Sequence, residues 1–347
     1  MVANTTQISF QEILSFTPEG EEPKQMGSAF FRGANCNFNP YLKDHTRERF
    51  LENFLLKGLL PREPQIFRDT KVTAFGSCFA ENITRYLSGL GFSLSKQRNP
   101  DIYISSMGEG LVNVHALAQQ FEWALENVAP PENLWHGYRA EEFGYDEEVR
   151  AKTAEAFRTT EFFIITLGLS EIWYDEHTGG VFWRAVPLEH YDPARHKFRV
   201  CSFAESKALI ERIHSIVRRH VPRAKLLFTL SPIPLAATFR PIGCIAANSA
   251  SKAILRAALD EFLRDHADEL NETLFYFPSY EIITDLFFRR HEPDGRHVRP
   301  PILHFVMQLF EAAYCDTGLP MHSLNAVYQR TRMENAASAA DFASSPA

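Results

Sequence analysis

The sequence lacks the features that would place it in a membrane or on nucleic acid. No apolar run reaches the ~18 residues of a transmembrane helix, and the first 30 residues contain no basic start followed by an apolar stretch. Asp and Glu (43) outnumber Lys and Arg (36), so the formal net charge is −7 and no domain-wide basic surface is available. The sequence therefore predicts a cytoplasmic protein with no membrane span and no nucleic-acid partner.

Cysteine is scarce, and the common metal and nucleotide motifs are missing. The five cysteines are odd in number, widely spaced and without a C-x-x-C pair, which argues against a disulfide framework or a thiolate zinc site. Neither H-E-x-x-H nor a Gly-rich phosphate-binding motif (G-x-G-x-x-G or G-x-x-x-x-G-K-[ST]) occurs. We therefore expect no metal site and no required cofactor, and at least one thiol that is free for chemistry.

The sequence does contain an alternation of β-type runs and helical stretches. Runs rich in β-branched and aromatic residues predict strands at Lys71–Phe75, Asp101–Ile104, Phe162–Leu167, Lys225–Leu230 and Leu274–Phe277. Helical periodicity is found at Ala80–Leu90, Val112–Asn127, Phe203–His220, Asn248–Asp265 and Ile302–Tyr314. This alternation predicts an α/β fold, with a mostly parallel sheet of about five strands and helices on both faces.

Segments outside this alternation complete the predicted organisation. An N-terminal arm, a main domain and a largely disordered tail are predicted at residues 1–64, 65–316 and 317–347. Within the arm, only Arg47–Leu60 has the pattern of an amphipathic helix. The aromatic-rich arms of Glu171–Val186, around Thr178-Gly179-Gly180, predict an inserted β-hairpin. The tail is Ala/Ser-rich from Met333 onward, which is why we expect disorder there.

The strongest functional signal is the segment Lys71–Ile83, KVTAFGSCFAENI. A predicted strand runs through Gly76, Ser77 and Cys78 directly into a helix, and ligands of open α/β sheets bind beyond the carboxyl ends of the strands. Backbone N–H groups at the helix start would stabilise both a thiolate at Cys78 and the oxyanion of a reacting carbonyl. The alternative is structural, with Ser77 as an N-cap and Cys78 as a small buried apolar residue.

A nucleophile of this kind needs a base, and Asp294-Gly295-Arg296-His297 follows the last predicted strand. A carboxylate three residues before a histidine can hold one imidazole nitrogen and leave the other free to take a proton. We therefore predict that His297 is the base and that Asp294 orients it. His291 and His304 are close competitors.

The motif FGSCFAEN resembles the defining motif of the GSCFA domain family, which is itself similar to the SGNH/GDSL hydrolase superfamily. The likeness spans Thr70–Cys315 and implies a flavodoxin-like, SGNH-type three-layer sandwich. It places Cys78 on the superfamily's nucleophilic serine and Ser77 on the preceding aspartate, while Asp294 and His297 match the Asp-x-x-His block without change. A cysteine at the nucleophile position implies either thiolate chemistry or a register in which Ser77 attacks.

The oxyanion residues implied by the resemblance depart from the superfamily pattern. One oxyanion glycine falls on Gly108 or Gly110, with Asn113 nearby, and Ser170 stands where the superfamily has asparagine. Loss of an oxyanion donor typically costs 10²–10³ in rate. Transfer of the acyl group to a sugar hydroxyl is therefore as coherent as hydrolysis, and acyl-CoA would be the natural donor.

Four further residues are candidates for substrate binding. Trp173, on the predicted hairpin, can stack on a sugar face. Asn248 and Lys252 lie one helical turn apart on one face, and either Lys252 or Arg296 can bind an anionic group. The structural alternatives are packing for the tryptophan and a solvated surface position for each cation.

These observations predict an esterase or O-acyltransferase that acts through a covalent acyl-enzyme on a small-molecule or glycan substrate, a carbohydrate (polysaccharide) or glycolipid. Two alternatives stay open. One is a non-catalytic carbohydrate-binding or scaffold protein on the same fold, and the other is a thiol-dependent amidase.

Overall fold

The structure describes most of the chain from residue 39 onward, with gaps at residues 93–110, 132–133 and 135–145. In this computed structural model, the described residues are 11–16, 24–29, 37, 39–92, 111–131, 134 and 146–343. For residues 11–16, 24–29, 78 and 337–343 the description covers the backbone alone.

A four-stranded parallel sheet forms the centre of the molecule. The strands are β1 (Gln11–Phe16), β2 (Lys24–Ala29), β3 (Val72–Phe75), β4 (Phe162–Leu167), β5 (Glu171–Asp175), β6 (His196–Val200), β7 (Lys225–Leu230) and β8 (Leu274–Tyr276). The sheet has the order β3-β4-β7-β8, while β1–β2 and β5–β6 are separate antiparallel pairs. In the sheet, Phe162 lies opposite Val72 on one side and Lys225 on the other. The predicted strand Asp101–Ile104 lies outside the described residues.

Helices cover both faces of this sheet, which confirms the predicted α/β three-layer sandwich. They are α1 (Cys78–Gly89), α2 (Val114–Glu126), α3 (Glu147–Arg158), α4 (Phe203–His220), α5 (Cys244–Asp265), α6 (Ser279–Leu286), α7 (Pro300–Tyr314) and α8 (Leu324–Ala343). Along β4, Phe163 and Ile165 pack with α2–α5, whereas Phe162 and Ile164 pack with α1 and α6–α8. Burial on both faces explains why the strands are continuous apolar runs. Among the described helices, none combines the length and the apolarity that crossing a membrane requires.

Two predictions for the ends of the chain are wrong. Arg47–Leu60 is not one amphipathic helix: a π-helical turn forms at Leu51–Leu55, and the chain then turns at Gly58, whose φ is +78°. The tail is helical over α8 rather than disordered. Leu324 and Tyr328, one turn apart at the start of that helix, are buried in the core under α6 and α7, and this packing outweighs the Ala/Ser-rich composition that follows.

The predicted β-hairpin is present in part. Its turn is where the pattern indicated, because Tyr174 forms an antiparallel bridge with Val181 and Gly179 has a φ of +73°. The full-length partner of β5, however, is β6, with Glu171 opposite Val200. The second arm of the pair therefore comes later in the chain than the aromatic pattern suggested.

Candidate active site

The bend between β3 and α1 depends on a glycine. Gly76 has a φ of +133°, and a Cβ at this position would lie 2.2 Å from the Thr166 carbonyl oxygen, so no larger residue fits. Ser77 is the N-cap of α1: its buried hydroxyl accepts a hydrogen bond from the Phe79 N–H at 3.2 Å. Cys78 is the first residue of α1, and its side chain lies outside the description. The Ser77 hydroxyl is thus engaged in capping α1, and the roles of Cys78 and Ser77 as nucleophile stay predictions.

The turn after β4 is held by two side chains from α5. Lys252 is 2% exposed, and its Nζ donates to the Gly168 carbonyl oxygen at 2.6 Å. The Ser251 hydroxyl oxygen accepts from both the N–H and the hydroxyl of Ser170, at 2.8 and 3.2 Å. Gly168 has no room for a side chain, because a Cβ would lie 2.4 Å from the Val112 carbonyl oxygen. The structural alternative of a solvated Lys252 is therefore wrong, since the side chain is buried against this turn.

The side chains predicted as oxyanion donors are engaged with the protein. Ser170 is buried, and both of its donors are directed at one hydroxyl, as described above. Asn113 is the N-cap of α2, and its side-chain amide donates to two backbone carbonyl oxygens at 3.1 and 3.2 Å. Gly108 and Gly110 lie outside the described residues. An oxyanion role for Ser170 or Asn113 would thus require breaking a contact that the fold uses.

Asp294 and His297 lie together in the structure. Oδ2 of Asp294 is hydrogen-bonded to Nδ1 of His297, and Oδ1 accepts from the backbone N–H groups of Arg296 and His297 at 2.9 and 3.0 Å. The Arg296 N–H, followed by the His297 ring, lowers the pKa of Asp294 to about 2. The carboxylate is therefore ionised at neutral pH. The His297 side chain is 60% exposed, so a substrate can approach it from solvent.

His291 joins the loop that carries this pair to the end of β7. Residues 290–299 turn back on themselves, with His291 bridged to Val298. The Pro232 carbonyl oxygen, just beyond β7, accepts a hydrogen bond from the His291 ring. Burial, together with Arg290, lowers the pKa of His291, and its Nε2 is buried without a hydrogen-bond partner in the described part of the chain. The competitor His291 is thus the histidine that sits deeper at the carboxyl end of the sheet.

Two residues that the sequence analysis did not single out contribute to this end of the sheet. Thr166 is the polar residue in an otherwise apolar strand, and its buried hydroxyl has no partner among the residues described. It lies directly beside Gly76. Ser251 was missed because nothing in its local sequence distinguishes it. The lone threonine in FFIITL was a usable signal, whereas the role of Ser251 depends on how α5 packs.

The remaining predicted binding residues have separate surroundings. The Asn248 side-chain oxygen accepts from the Leu235 N–H at 3.0 Å and so holds the loop between β7 and α5. Trp173 packs edge-on against Phe239 with ring centroids 4.9 Å apart, and Phe239 is 55% exposed. Arg296 lies on the loop of the Asp294–His297 pair, beside the predicted base. The hydrogen bond to Leu235 gives Asn248 a structural role, while sugar contact by Trp173 stays a prediction.

Comparison with known proteins gives one result. The profile of the GSCFA family matches residues 71–310, well over half of the 347-residue chain. No curated protein matches the chain. The matched range begins just before β3 and ends within α7, so it contains the β3–α1 bend, the turn after β4 and the Asp294–His297 pair.

Proposed function

The chain belongs to the GSCFA family, and from this premise we propose that it is an enzyme that forms a covalent acyl intermediate at the β3–α1 bend. The acyl group then passes to water or to a hydroxyl of a carbohydrate or glycolipid. In the transfer reaction an acyl thioester such as acyl-CoA supplies the acyl group, and no cofactor is required. We place the reaction in the cytoplasm.

The observation that carries this proposal is the Asp294–His297 pair. An ionised carboxylate on Nδ1 fixes the tautomer in which Nε2 is the proton acceptor, and it stabilises the imidazolium that forms when His297 takes a proton. The pair is exposed, and His291 ties its loop to the carboxyl end of β7. This is the end of a parallel sheet at which ligands bind.

The proposed reaction has two steps. The Cys78 sulfur, deprotonated by His297, attacks the acyl carbonyl and a new C–S bond forms. The C–O bond of an ester donor, or the C–S bond of an acyl thioester donor, breaks, and the leaving oxygen or sulfur takes the proton from His297. Water or a sugar hydroxyl then attacks the thioester, giving its proton to His297, and the Cys78 sulfur leaves. His297 is a base in the first half of each step and an acid in the second.

The oxyanion is assigned to the Cys78 N–H and the positive end of the α1 helix dipole, which favour developing negative charge. Ser170 and Asn113 already use their polar groups within the fold. The Phe79 and Ala80 N–H groups in the first turn of α1 are also used, because both donate to Ser77. Trp173 and the exposed Phe239 provide an aromatic surface on which a sugar ring can stack.

Covalent probes test the proposal. We expect an iodoacetamide-type probe to label Cys78 faster than any other cysteine in the folded protein, and His297→Ala to slow that labelling. The matched control is Cys244→Ala, which removes a half-buried free thiol on α5 and should leave labelling of Cys78 unchanged.

The other outcomes separate the alternatives. Labelling of Ser77 alone by a fluorophosphonate probe would replace Cys78 with Ser77 as the nucleophile. If neither residue of the folded protein is labelled by either probe, the enzyme proposal is wrong and a non-catalytic binding protein on this fold is favoured.

A further inference from the structure

A second group of histidines and carboxylates lies at the opposite end of the sheet. Glu211 and His214 are three residues apart on α4, and His266 and Glu269 are three residues apart just after α5. On α4 this spacing puts Glu211 and His214 on one face, whereas His266–Glu269 form a turn. Helix α4 packs against α5 through the core above β7 and β8. Glu269 accepts the backbone N–H of Leu274, the first residue of β8, so the group lies at the amino ends of the strands.

The side chains of Glu211, His214 and His266 converge, and Glu269 lies beside His214. The distance from His214 Nε2 to Glu269 Oε1 is 3.0 Å, and that from His266 Nε2 to Glu211 Oε2 is 2.8 Å. The two imidazole rings are 4.3 Å apart between centroids. Potential ligand atoms of Glu211, His214 and His266 all lie within 4.8 Å of one another. Tetrahedral ligands about 2.0–2.2 Å from one metal ion are roughly 3.3–3.6 Å apart, so the pairs at 2.8 and 3.0 Å must separate slightly to admit an ion.

The burial of His214 is a second, independent observation. Its side chain is 7% exposed, and its Nε2 satisfies no hydrogen-bond geometry with any described residue. A buried imidazole nitrogen that lies beside a carboxylate oxygen but makes no hydrogen bond of good geometry is suited to bind a metal ion.

The two carboxylates are each oriented by a cation. Oε2 of Glu269 accepts from Arg218 Nε at 2.7 Å and from the Thr273 hydroxyl at 3.0 Å, which leaves Oε1 directed at the imidazoles. Oε1 of Glu211 is 3.5 Å from Lys207 Nζ, which leaves Oε2 directed at His266. Hydrogen-bonded carboxylates of this kind are typical around metal ligands, because the outer contacts fix the ligand orientation.

We propose that Glu211, His214 and His266 bind a divalent transition-metal ion of the zinc class, with Glu269 held beside His214. Two imidazoles favour zinc and its neighbours over Mg²⁺ and Ca²⁺, which prefer oxygen ligands. The ion joins α4 to the segment between α5 and β8, far from the β3–α1 bend, so its role is structural and independent of the proposed acyl transfer.

A third group of potential metal ligands differs, because its carboxylate oxygens are already hydrogen-bonded to an arginine. His115, Cys201 and Glu205 also bring potential ligand atoms together. Both oxygens of Glu205, however, are taken by the Arg199 guanidinium at 2.7 and 2.6 Å. Burial, followed by Glu205, raises the pKa of Cys201 to about 12, so its thiol stays protonated. This group supplies the matched control for the metal proposal.

Titration of the chelator-treated full chain with Co²⁺ and then Zn²⁺ tests the site. We expect one Co²⁺ per chain with visible d–d absorption, no intense near-ultraviolet thiolate band, and displacement of Co²⁺ by Zn²⁺ with a rise in unfolding temperature. His266→Gln and Glu211→Gln, both at partly exposed positions, should each weaken Co²⁺ binding by about 100-fold or more. His115→Gln should leave it unchanged.

Three results would overturn the proposal: no Co²⁺ spectrum in the folded protein, a spectrum dominated by thiolate bands, or equal Co²⁺ affinity in the wild type and both variants. Far-ultraviolet circular dichroism establishes that each variant is folded before its affinity is compared. Because the readout is metal binding rather than catalysis, the result is independent of the proposed acyl transfer.

Discussion

The two histidine–carboxylate groups of this protein differ in exposure and in what carries them. Asp294 and His297 lie on a loop, with side chains 45% and 60% exposed, whereas His214 and Glu269 lie between packed elements at 7% and 24%. An exposed pair on a loop can meet a substrate and exchange protons with solvent. A partly buried set carried by α4 and the turn after α5 is held in one geometry, which suits the fixed coordination of the proposed metal ion. The same residue types thus indicate proton transfer at one end of the sheet and ligand binding at the other.

The largest expected effect is loss of reaction at the exposed pair. His297→Ala should reduce turnover of an activated acyl ester, or the rate of Cys78 labelling, by about 10²- to 10⁴-fold, the usual contribution of a general base. The free energy of unfolding should change by less than about 0.5 kcal/mol, because the side chain is mostly exposed. Rates and urea unfolding are measured together. His304→Ala, on α7, is the control, and a similar loss there would mean that the comparison is wrong.

The next largest expected effect is a loss of stability at the β3–α1 bend, where the proposed nucleophile lies. Gly76→Ala places a Cβ against the Thr166 carbonyl oxygen at a φ of +133°, so we expect destabilisation by about 3 kcal/mol or more. Gly179→Ala is the matched control. Its φ is also positive, at +73°, but no atom of the described residues, apart from its chain neighbours, lies within 4 Å of the new Cβ, so strain alone should cost about 1 kcal/mol. Equal costs in urea unfolding would contradict the steric explanation.

A smaller loss is expected where α5 holds the turn after β4. Ser251→Ala leaves the buried N–H of Ser170 without its acceptor, and an unsatisfied buried donor costs about 1–3 kcal/mol. Ser249→Ala, exposed on the same helix, should change the free energy of unfolding by less than about 0.5 kcal/mol. If both variants have wild-type stability, α5 does not hold this turn.

The smallest expected effect is a pH-dependent loss of stability that depends on Glu205, in the group formed by His115, Cys201 and Glu205. Hydrogen bonds from Arg199, with a further contribution from His115, outweigh burial and lower the pKa of Glu205 from 4.5 to about 2. Between these values the unfolded chain binds more protons than the folded chain, so the stability that Glu205 contributes is lost as pH falls through this window. Allowing for solvent screening, the loss is about 1–2 kcal/mol.

Urea unfolding at pH 6 and pH 3 measures this effect, and Glu205→Gln should flatten the difference. Glu148→Gln is the control, because the Glu148 side chain is 77% exposed in a helical pair with Lys152 that is worth only a few tenths of a kcal/mol. An unchanged pH dependence in Glu205→Gln would show that the Arg199 contact does not set the acid stability.

Much of the candidate active site was predictable because its parts are local in sequence. The strand–glycine–helix pattern at Gly76 and the Asp-x-x-His spacing at Asp294 each occupy a few consecutive residues, and a turn of the backbone brings their atoms together. The burial of Lys252, the contact of Ser251 with Ser170 and the anchoring of His291 were not predictable, because each joins segments far apart in the chain.

The histidine–carboxylate group of the metal proposal did not stand out in the sequence for the same reason. A search for H-E-x-x-H finds two ligands and a base on one helix, whereas Glu211–His214 and His266–Glu269 are divided between two elements. Each half alone is an ordinary i,i+3 pair that is compatible with an exposed helix surface. Only the packing of α4 against α5 makes the two halves one group.

The amino-acid sequence by itself determined the α/β class, the position of the β3–α1 bend and the identity of the Asp–His pair, because periodicity, glycine content and short spacing act over a few residues. Tertiary structure alone decided which polar side chains are buried, which donors are already used, and that α8 is anchored rather than free. Those outcomes depend on desolvation and on contacts between distant segments, and neither is encoded in any short stretch of the chain.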